Sequence, residues 1–286
     1  MEKRIVGVIG GTGLYQMNDL EKVREVHVAT PFGKPSGPYV KGIVDGVETV
    51  FVARHGKGHR WLPTEVNSRA IIYGMKKLGV TRVISVSAVG SLKEEMAPGH
   101  VVIPDQFIDR TTQRPNSFFG KGIVAHVSLA DPFCPVLRDV LSDAVRSRGA
   151  TVHTSGTYLC MEGPQFSTRA ESHLYRSWGA HVIGMTNFTE ARLAREAEIC
   201  YATLALVSDY DCWNEHAQDV DIQQVMTVLN NNVQLAQAVI RRAVSQIPQE
   251  RSCFCSDALR HAIITERKKI PKKTLKDLKV LVGKYL

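Results

Sequence analysis

The chain has 286 residues, 44% hydrophobic and 22% charged, the composition of an ordinary globular protein large enough to bury a sizeable core. No apolar run reaches the ~20 residues of a membrane span, and the opening MEKRIVGVIGG lacks the long apolar core and cleavage site of a secretory leader, so a cytoplasmic protein without membrane contact is expected. Of the net charge of +8, residues 260–286 carry +7 (nine Lys/Arg against Glu266 and Asp277), leaving a nearly neutral body. That distribution suits a solvated or packing tail better than a nucleic-acid surface.

In chain order, RIVGVIGG reads as a strand entering a glycine turn, and TVFVARHG (49–56) as a second strand. VNSRAIIYGMKKLG (66–79) has helical spacing and a C-terminal Gly79. TRVISVSAVGSL (81–92) reads as a strand running into a small-residue turn, and HVVIPDQFIDRT (100–111) as one strand and its exit. Helices are predicted over 134–149, over 168–179 behind a Thr168/Glu171 capping box, and over 189–199, with short strands at 180–186 and 200–209. Ile222, Val225, Met226, Leu229, Val233, Ala236 and Ile240 form one stripe of a helix over 221–247 that ends at Pro248. Beyond Pro271 a short amphipathic helix is expected.

Strands rich in Val and Ile alternate with helices, so the expected fold is α/β: a single domain with a central mixed, mostly buried sheet flanked by helices. The catalytic domain is placed at 1–248 and a basic C-terminal extension at 249–286. The six cysteines are dispersed with no C-x-x-C pair and hence no zinc spacing; Cys253 and Cys255 read as two ordinary thiols or a strained bridge.

In such folds ligands sit at the carboxyl ends of strands, so the polar residues there are the candidates. GGTGL offers backbone N–H groups and the Thr12 hydroxyl to an anion, though a plain tight turn reads equally well. Arg54 can hold phosphate bidentately, beside His55, or make a surface ion pair. Ser87 and Ala88 in SAVGS offer a hydroxyl and amides. In MEGPQFSTR, Phe166 can stack on a planar base, and Ser167 either caps a helix or meets the ligand. Met185 and Thr186 follow a strand. SDYDC places Asp209 and Asp211 one residue apart around Tyr210. Anion-binding groups, an aromatic ring and paired acids suit a ligand with an anion at one end and an amino-bearing base at the other.

VGVIGGTGLY, PFGKPS, ARHG, SLKEE, DQFIDRTTQRP, EGPQFSTRAES and SDYDCW together resemble the 5′-methylthioadenosine phosphorylases of the trimeric purine nucleoside phosphorylase class, over residues 5–247. The resemblance implies a pentosyltransferase of purine and methionine salvage. Such an enzyme splits 5′-methylthioadenosine with phosphate into adenine and 5-methylthioribose 1-phosphate, without metal or other cofactor, as a homotrimer or dimer of trimers. It implies phosphate binding by Thr12, Arg54, His55, Ser87, Ala88 and Thr186, ribose packing by Met185, and base contacts from Phe166, Ser167, Asp209 and Asp211. Asp209 would protonate N7 and Asp211 accept from the 6-amino group. Ile222 is a further pocket candidate or a core residue. Gly184 stands where many adenine-type relatives have Asn, and Thr189 where many have Pro. A 6-oxopurine phosphorylase is the alternative in the same class, a nucleosidase in a neighbouring one and a nucleic-acid-binding module in a distant one. The paired acids argue against the first, Arg54 and Thr12 against the second, and the small-molecule site formed by strand-end polar residues against the third.

Overall fold

The computed structural model describes residues 3–15, 20–214 and 222–286; the side chains of Thr12, Tyr15 and residues 222–231 lie outside that description. Eleven strands are found among these residues: β1 (Ile5–Gly10), β2 (Glu21–Val26), β3 (Tyr39–Val44), β4 (Val47–Ala53), β5 (Arg82–Ser91), β6 (Val101–Val102), β7 (Gln106–Asp109), β8 (Val152–His153), β9 (Thr157–Cys160), β10 (Val182–Gly184) and β11 (Cys200–Asp209). The helices are α1 (Ser68–Lys77), α2 (Pro135–Arg146), α3 (Arg169–Ser177), α4 (Asn187–Glu196), α5 (Ile222–Gln246) and α6 (Lys272–Val282).

All strands join one mixed sheet, ordered β2-β3-β4-β1-β5-β10-β9-β7, with β11, β6 and β8 forming a second arm from β5. β5 is the branch point. Its first half pairs parallel with β1, Val6 to Ile9 against Arg82 to Ser85, and nearly its whole length pairs parallel with β11. Past Ser85 the β1 ladder stops, and Gly90 and Ser91 pair antiparallel with Ile183 and Val182 of β10. A crevice therefore opens beside the carboxyl half of β5.

Helices cover both faces. Leu137, Leu141, Ala144 and Val145 of α2 pack with Ala236, Val239, Ile240 and Ala243 of α5 on one side. Ile71, Ile72 and Met75 of α1, Ala191 and Leu193 of α4, and Leu278, Leu281 and Val282 of α6 form the other. The basic C-terminal segment is thus a packing element: α6 buries one face, and the Asp277 carbonyl accepts from the Tyr73 hydroxyl (2.8 Å).

Two sequence expectations need correction. The strand over 100–111 is broken in two at Pro104 and Asp105, because proline has no N–H for the ladder. SAVGS is not a turn: β5 continues through Ser91, so Ser87 and Ala88 are strand residues. β2, β3, β8 and β9 were not expected; β2 is a charged, exposed edge strand, which gives it no apolar pattern. The capping box holds: Thr168 Oγ1 accepts from the Glu171 amide, and the Glu171 carboxylate accepts from the Thr168 amide.

Glu196, at the end of α4, is buried under residues 117–118 and accepts from Ser117 Oγ (2.8 Å) and the Phe118 amide (2.7 Å). Burial pushes its carboxyl up from 4.5 to about 7. The folded state keeps this proton after the unfolded chain has lost it, so its contribution to stability falls as pH climbs from 4.5 to about 7. Glu196→Gln abolishes that dependence. Chemical denaturation of both proteins at low and neutral pH should show the variant gaining about 2–3 kcal/mol on the parent as pH rises; a pH-independent difference would refute the assignment.

Candidate active site

The crevice beside β5 carries two sets of polar groups on one strand. Ser87 and Gly90 lie three residues apart, about 10 Å along the strand, which leaves room for one sugar ring between them.

The lower set surrounds Ser87. Its hydroxyl lies 3.2 Å from Tyr158 Oη and 3.3 Å from Thr186 Oγ1, and donates to the Ala88 carbonyl (3.0 Å). Thr186 is the N-cap of α4 and makes no side-chain cap, so its hydroxyl stays in this cluster and the first-turn amides of α4 lie beside it. Arg54 follows β4 directly and is 4% exposed. Its Nε donates to Glu190 Oε1 (2.5 Å), its Nη2 to Ser85 Oγ (2.7 Å) and Glu190 Oε2 (3.2 Å), and its Nη1 to the Val86 carbonyl (3.0 Å). The ion pair is therefore buried, not superficial, and these contacts use four of the five guanidinium N–H groups, leaving one on Nη1.

His55 is half-buried. Burial first, then the Arg54 charge, lower its imidazole to about 4, so it is neutral near pH 7. Its Nδ1 lies 2.8 Å from the Trp61 carbonyl, which only accepts; Nδ1 therefore carries the hydrogen and Nε2 is an acceptor. Such a histidine meets a phosphate through a P–OH hydrogen. Thr12 lies in the short turn Thr12–Tyr15 after β1; its side chain is outside the described residues.

The upper set is the acid pair. The register between β11 and β5 slips at Ser208, where Val207 faces Val89 and Asp209 faces Gly90. This bulge re-aims Asp209. Asp209 Oδ1 accepts from the Asp211 amide (2.8 Å) and Oδ2 from Ser208 Oγ (2.6 Å). Asp211 adopts a left-handed backbone (φ 51°), tolerable for aspartate, and its Oδ2 accepts from Ser172 Oγ (2.5 Å). Both carboxyls are raised above the usual aspartate range, chiefly by burial; the Asp209 charge adds to the effect on Asp211. Gly90 makes the pair possible: a Cβ there would lie 2.9 Å from Asp209 Oδ1 and 3.3 Å from Asp211 Cβ.

The loop after β9 closes on this pair. The Ser167 carbonyl accepts from Cys212 Sγ (3.2 Å), and Arg169 Nη1 donates to the Cys212 carbonyl (3.0 Å). Ser167 Oγ is 3.9 Å from Met161 Sδ, and the Phe166 ring is 43% exposed. Met185 precedes Thr186 and lays its sulfur against Gly163. Tyr210 is committed elsewhere: its hydroxyl donates to the Glu94 carbonyl (3.2 Å) and its ring packs edge-on to Trp213. Ile222 opens α5, with its side chain outside the described residues.

Three residues escaped the sequence reading. Glu190 is one; the signal was an acid in a helix placed between Val-rich strands, which needs a buried cation. Arg114 is another. It donates through Nε to Glu162 Oε1 (3.0 Å), through Nη2 to the Glu162 carbonyl (2.6 Å) and through Nη1 to the Met185 carbonyl, tying three loops together. The third is Tyr158, whose hydroxyl occupies the space of an absent side chain: a Cβ on Gly184 would lie 1.9 Å from Tyr158 Oη. Gly184→Ala must therefore displace Tyr158 from Ser87. It should lower stability by about 1–3 kcal/mol, read as a lowered melting temperature. An unchanged melting curve would show that Tyr158 moves freely.

The branched mixed sheet, with Ser87, Thr186 and Arg54 gathered at one end of a crevice and paired acids at the other, fits a nucleoside phosphorylase-type domain, and the Phosphorylase superfamily model matches residues 5–245. The S-methyl-5′-thioadenosine phosphorylase of Geobacter sulfurreducens is 59% identical, over 99% of this chain and 100% of its own length. A crystal structure of methylthioadenosine phosphorylase from an antarctic soil metagenomic library superposes with a TM-score of 0.93 at 48% identity, over 98% of this chain and 99% of that one. The methylthioadenosine phosphorylase of Schistosoma mansoni, in complex with adenine, gives 0.83 at 38% identity, over 87% and 93%. The chain belongs to the S-methyl-5′-thioadenosine phosphorylase family.

Proposed function

We propose that the protein catalyses phosphorolysis of 5′-methylthioadenosine to adenine and 5-methylthioribose 1-phosphate. The observation that carries this reading is the raised Asp209/Asp211 pair, Asp211 buried and Asp209 half-buried, placed one sugar length from the Ser87–Thr186–Arg54 cluster. Adenine leaves poorly as an anion. A protonated Asp209 donates to N7 as the C1′–N9 bond lengthens, and Asp211 accepts from the 6-amino group. Phosphate stands below the sugar, held by the remaining Arg54 N–H, the Ser87 and Thr186 hydroxyls and the amides near Ala88 and Thr12, with a P–OH donated to His55 Nε2. Its charge stabilises the oxocarbenium character of C1′, and one oxygen then bonds to that carbon. The electron pair of the broken bond leaves on adenine. The balanced reaction needs no cofactor, phosphate being the co-substrate.

We also read the enzyme as a cytoplasmic homotrimer or dimer of trimers. Leu174 on α3 and Trp178 at its C-cap, 45% and 44% exposed and one helical turn apart, suit a subunit contact; light scattering of the purified protein measures the mass. Among the described residues no helix is long and apolar enough to cross a membrane.

The functional test is adenine release from 5′-methylthioadenosine with and without phosphate, beside adenosine and inosine. Phosphate-dependent release with little inosine cleavage is expected. Preferential inosine cleavage would transfer the reading to a 6-oxopurine enzyme, and release without phosphate to a nucleosidase.

A further inference from the structure

The linear spacing of the cysteines has no metal pattern, yet the fold gathers four of them. Cys134 is the N-cap of α2, Cys200 opens β11, Cys253 caps the short turn Phe254–Asp257, and Cys255 lies within it. Their Sγ atoms all lie within 4.8 Å of one another, and Cys200 and Cys253 are 3.3 Å apart. All four are free thiols; Cys134, Cys200 and Cys255 are buried and Cys253 half-buried. A tetrahedral zinc with ~2.3 Å bonds to sulfur places its ligands about 3.8 Å apart, within the spread seen here.

We propose that Cys134, Cys200, Cys253 and Cys255 form a structural tetrathiolate site for Zn2+. Three observations besides the sulfur geometry support it. A small cavity of about 20 Å³, large enough for one water-sized ligand, is lined by Cys134, Cys200 and Cys253. Zn2+ with four thiolates carries a net −2, and two cations, Arg82 and Arg251, line that same cavity. Both are fixed by backbone: Arg82 Nη2 donates to the carbonyls of Pro248 (3.0 Å) and Gln249 (2.9 Å), and Arg251 Nη1 to that of Glu198 (2.7 Å). Third, the segment bearing Cys253 and Cys255 is held in place from its far side, where Glu198 accepts from the Leu259 amide (3.0 Å), Tyr285 Oη (2.5 Å) and Lys284 Nζ (2.9 Å). The ligands are thus positioned by the fold on both sides.

Binding exchanges the four thiol protons, released to solvent, for one Zn2+. Four protein ligands leave no open position, so the ion binds no substrate. Cys200 and Asp209 are the two ends of β11, about 30 Å apart, which also separates the ion from the chemistry. Its role is to clip residues 249–286 to α2 and β11.

The test uses the full-length protein, reduced, incubated with Zn2+ or Co2+ and freed of loose ion by gel filtration. About one ion per chain by elemental analysis is expected, with a thiolate-to-cobalt charge-transfer band and tetrahedral d–d bands for Co2+. Cys253→Ser and Cys255→Ser should each lose most of the bound ion and the band, while keeping phosphorolysis at low temperature. Chelation should lower the melting temperature of the parent and not of the variants. Retention of no ion by the reduced parent would overturn the site. So would unchanged ion content in both variants, or, in the protein as purified before reduction, a native mass lower by two hydrogens per cysteine pair, the signature of disulfides. If the buried Cys255 variant fails to fold, the half-buried Cys253 variant and the cobalt spectrum of the parent still decide.

Discussion

Asp209→Asn should lower kcat for adenine release by about 10²–10⁴-fold, the usual contribution of a positioned general acid, while leaving the KM for phosphate nearly unchanged. The carboxamide fits the same space and still accepts from the Asp211 amide, but it has no acidic proton to give N7. The parent should also lose activity as pH rises through the raised Asp209 pKa, because the acid must be protonated to act, and burial is what carries that pKa upward. The variant's profile should lack this limb. Steady-state kinetics against pH measure both, and a variant with the parent's rate would remove Asp209 from the mechanism. Asp211→Asn is the useful contrast. It turns an acceptor for the 6-amino group into a group that can also donate, so its loss should be greatest for 6-aminopurines and smaller for inosine.

The second large effect concerns stability. Glu190 is 1% exposed and is the only carboxylate the described contacts give to Arg54. Glu190→Ala strands a buried guanidinium and should cost about 3–5 kcal/mol, read as a lowered denaturation midpoint. Arg54→Met alone strands the carboxylate at similar cost. The double variant Arg54→Met/Glu190→Leu removes both charges and should be more stable than either single one, while losing the cation proposed above to hold phosphate. If the double variant is instead as unstable as the sum of the two, Arg54 and Glu190 are energetically uncoupled and their ion pair does not account for the single losses.

The alternation of strand and helix was legible because Val- and Ile-rich runs were interrupted by helical stripes; β11, predicted over 200–209, is found at Cys200–Asp209. Arg54, Ser87, Thr186, Asp209 and Asp211, which the fold gathers beside β5, were visible in the sequence as polar residues abutting apolar runs. What local pattern could not carry was pairing across the sheet. That β5 outruns β1, so that Ser87 faces a crevice instead of a turn, depends on where a neighbouring strand stops. The Ser208 bulge depends on register. Glu190, Tyr158 and Arg114 act through partners 48 to 136 positions away in sequence, as Tyr158 meets Ser87, Arg114 meets Glu162 and Met185, and Glu190 meets Arg54. The four gathered cysteines are the same lesson, with ligands drawn from three separate stretches of chain.

The meeting of Tyr158 and Gly184 also constrains how this protein can change over generations. Removing the phenol oxygen alone does not free position 184, because the ring carbon Cζ would still stand 2.7 Å from a Cβ there. A side chain at 184 therefore requires a smaller residue at 158 first, and that first step opens a void next to Ser87 and forfeits its hydroxyl contact. Each single step is a loss, and only the pair of steps reaches a new packing. Lineages carrying glycine with tyrosine and lineages carrying a side chain with a smaller residue are separated by a valley, so the two positions should be inherited as a unit.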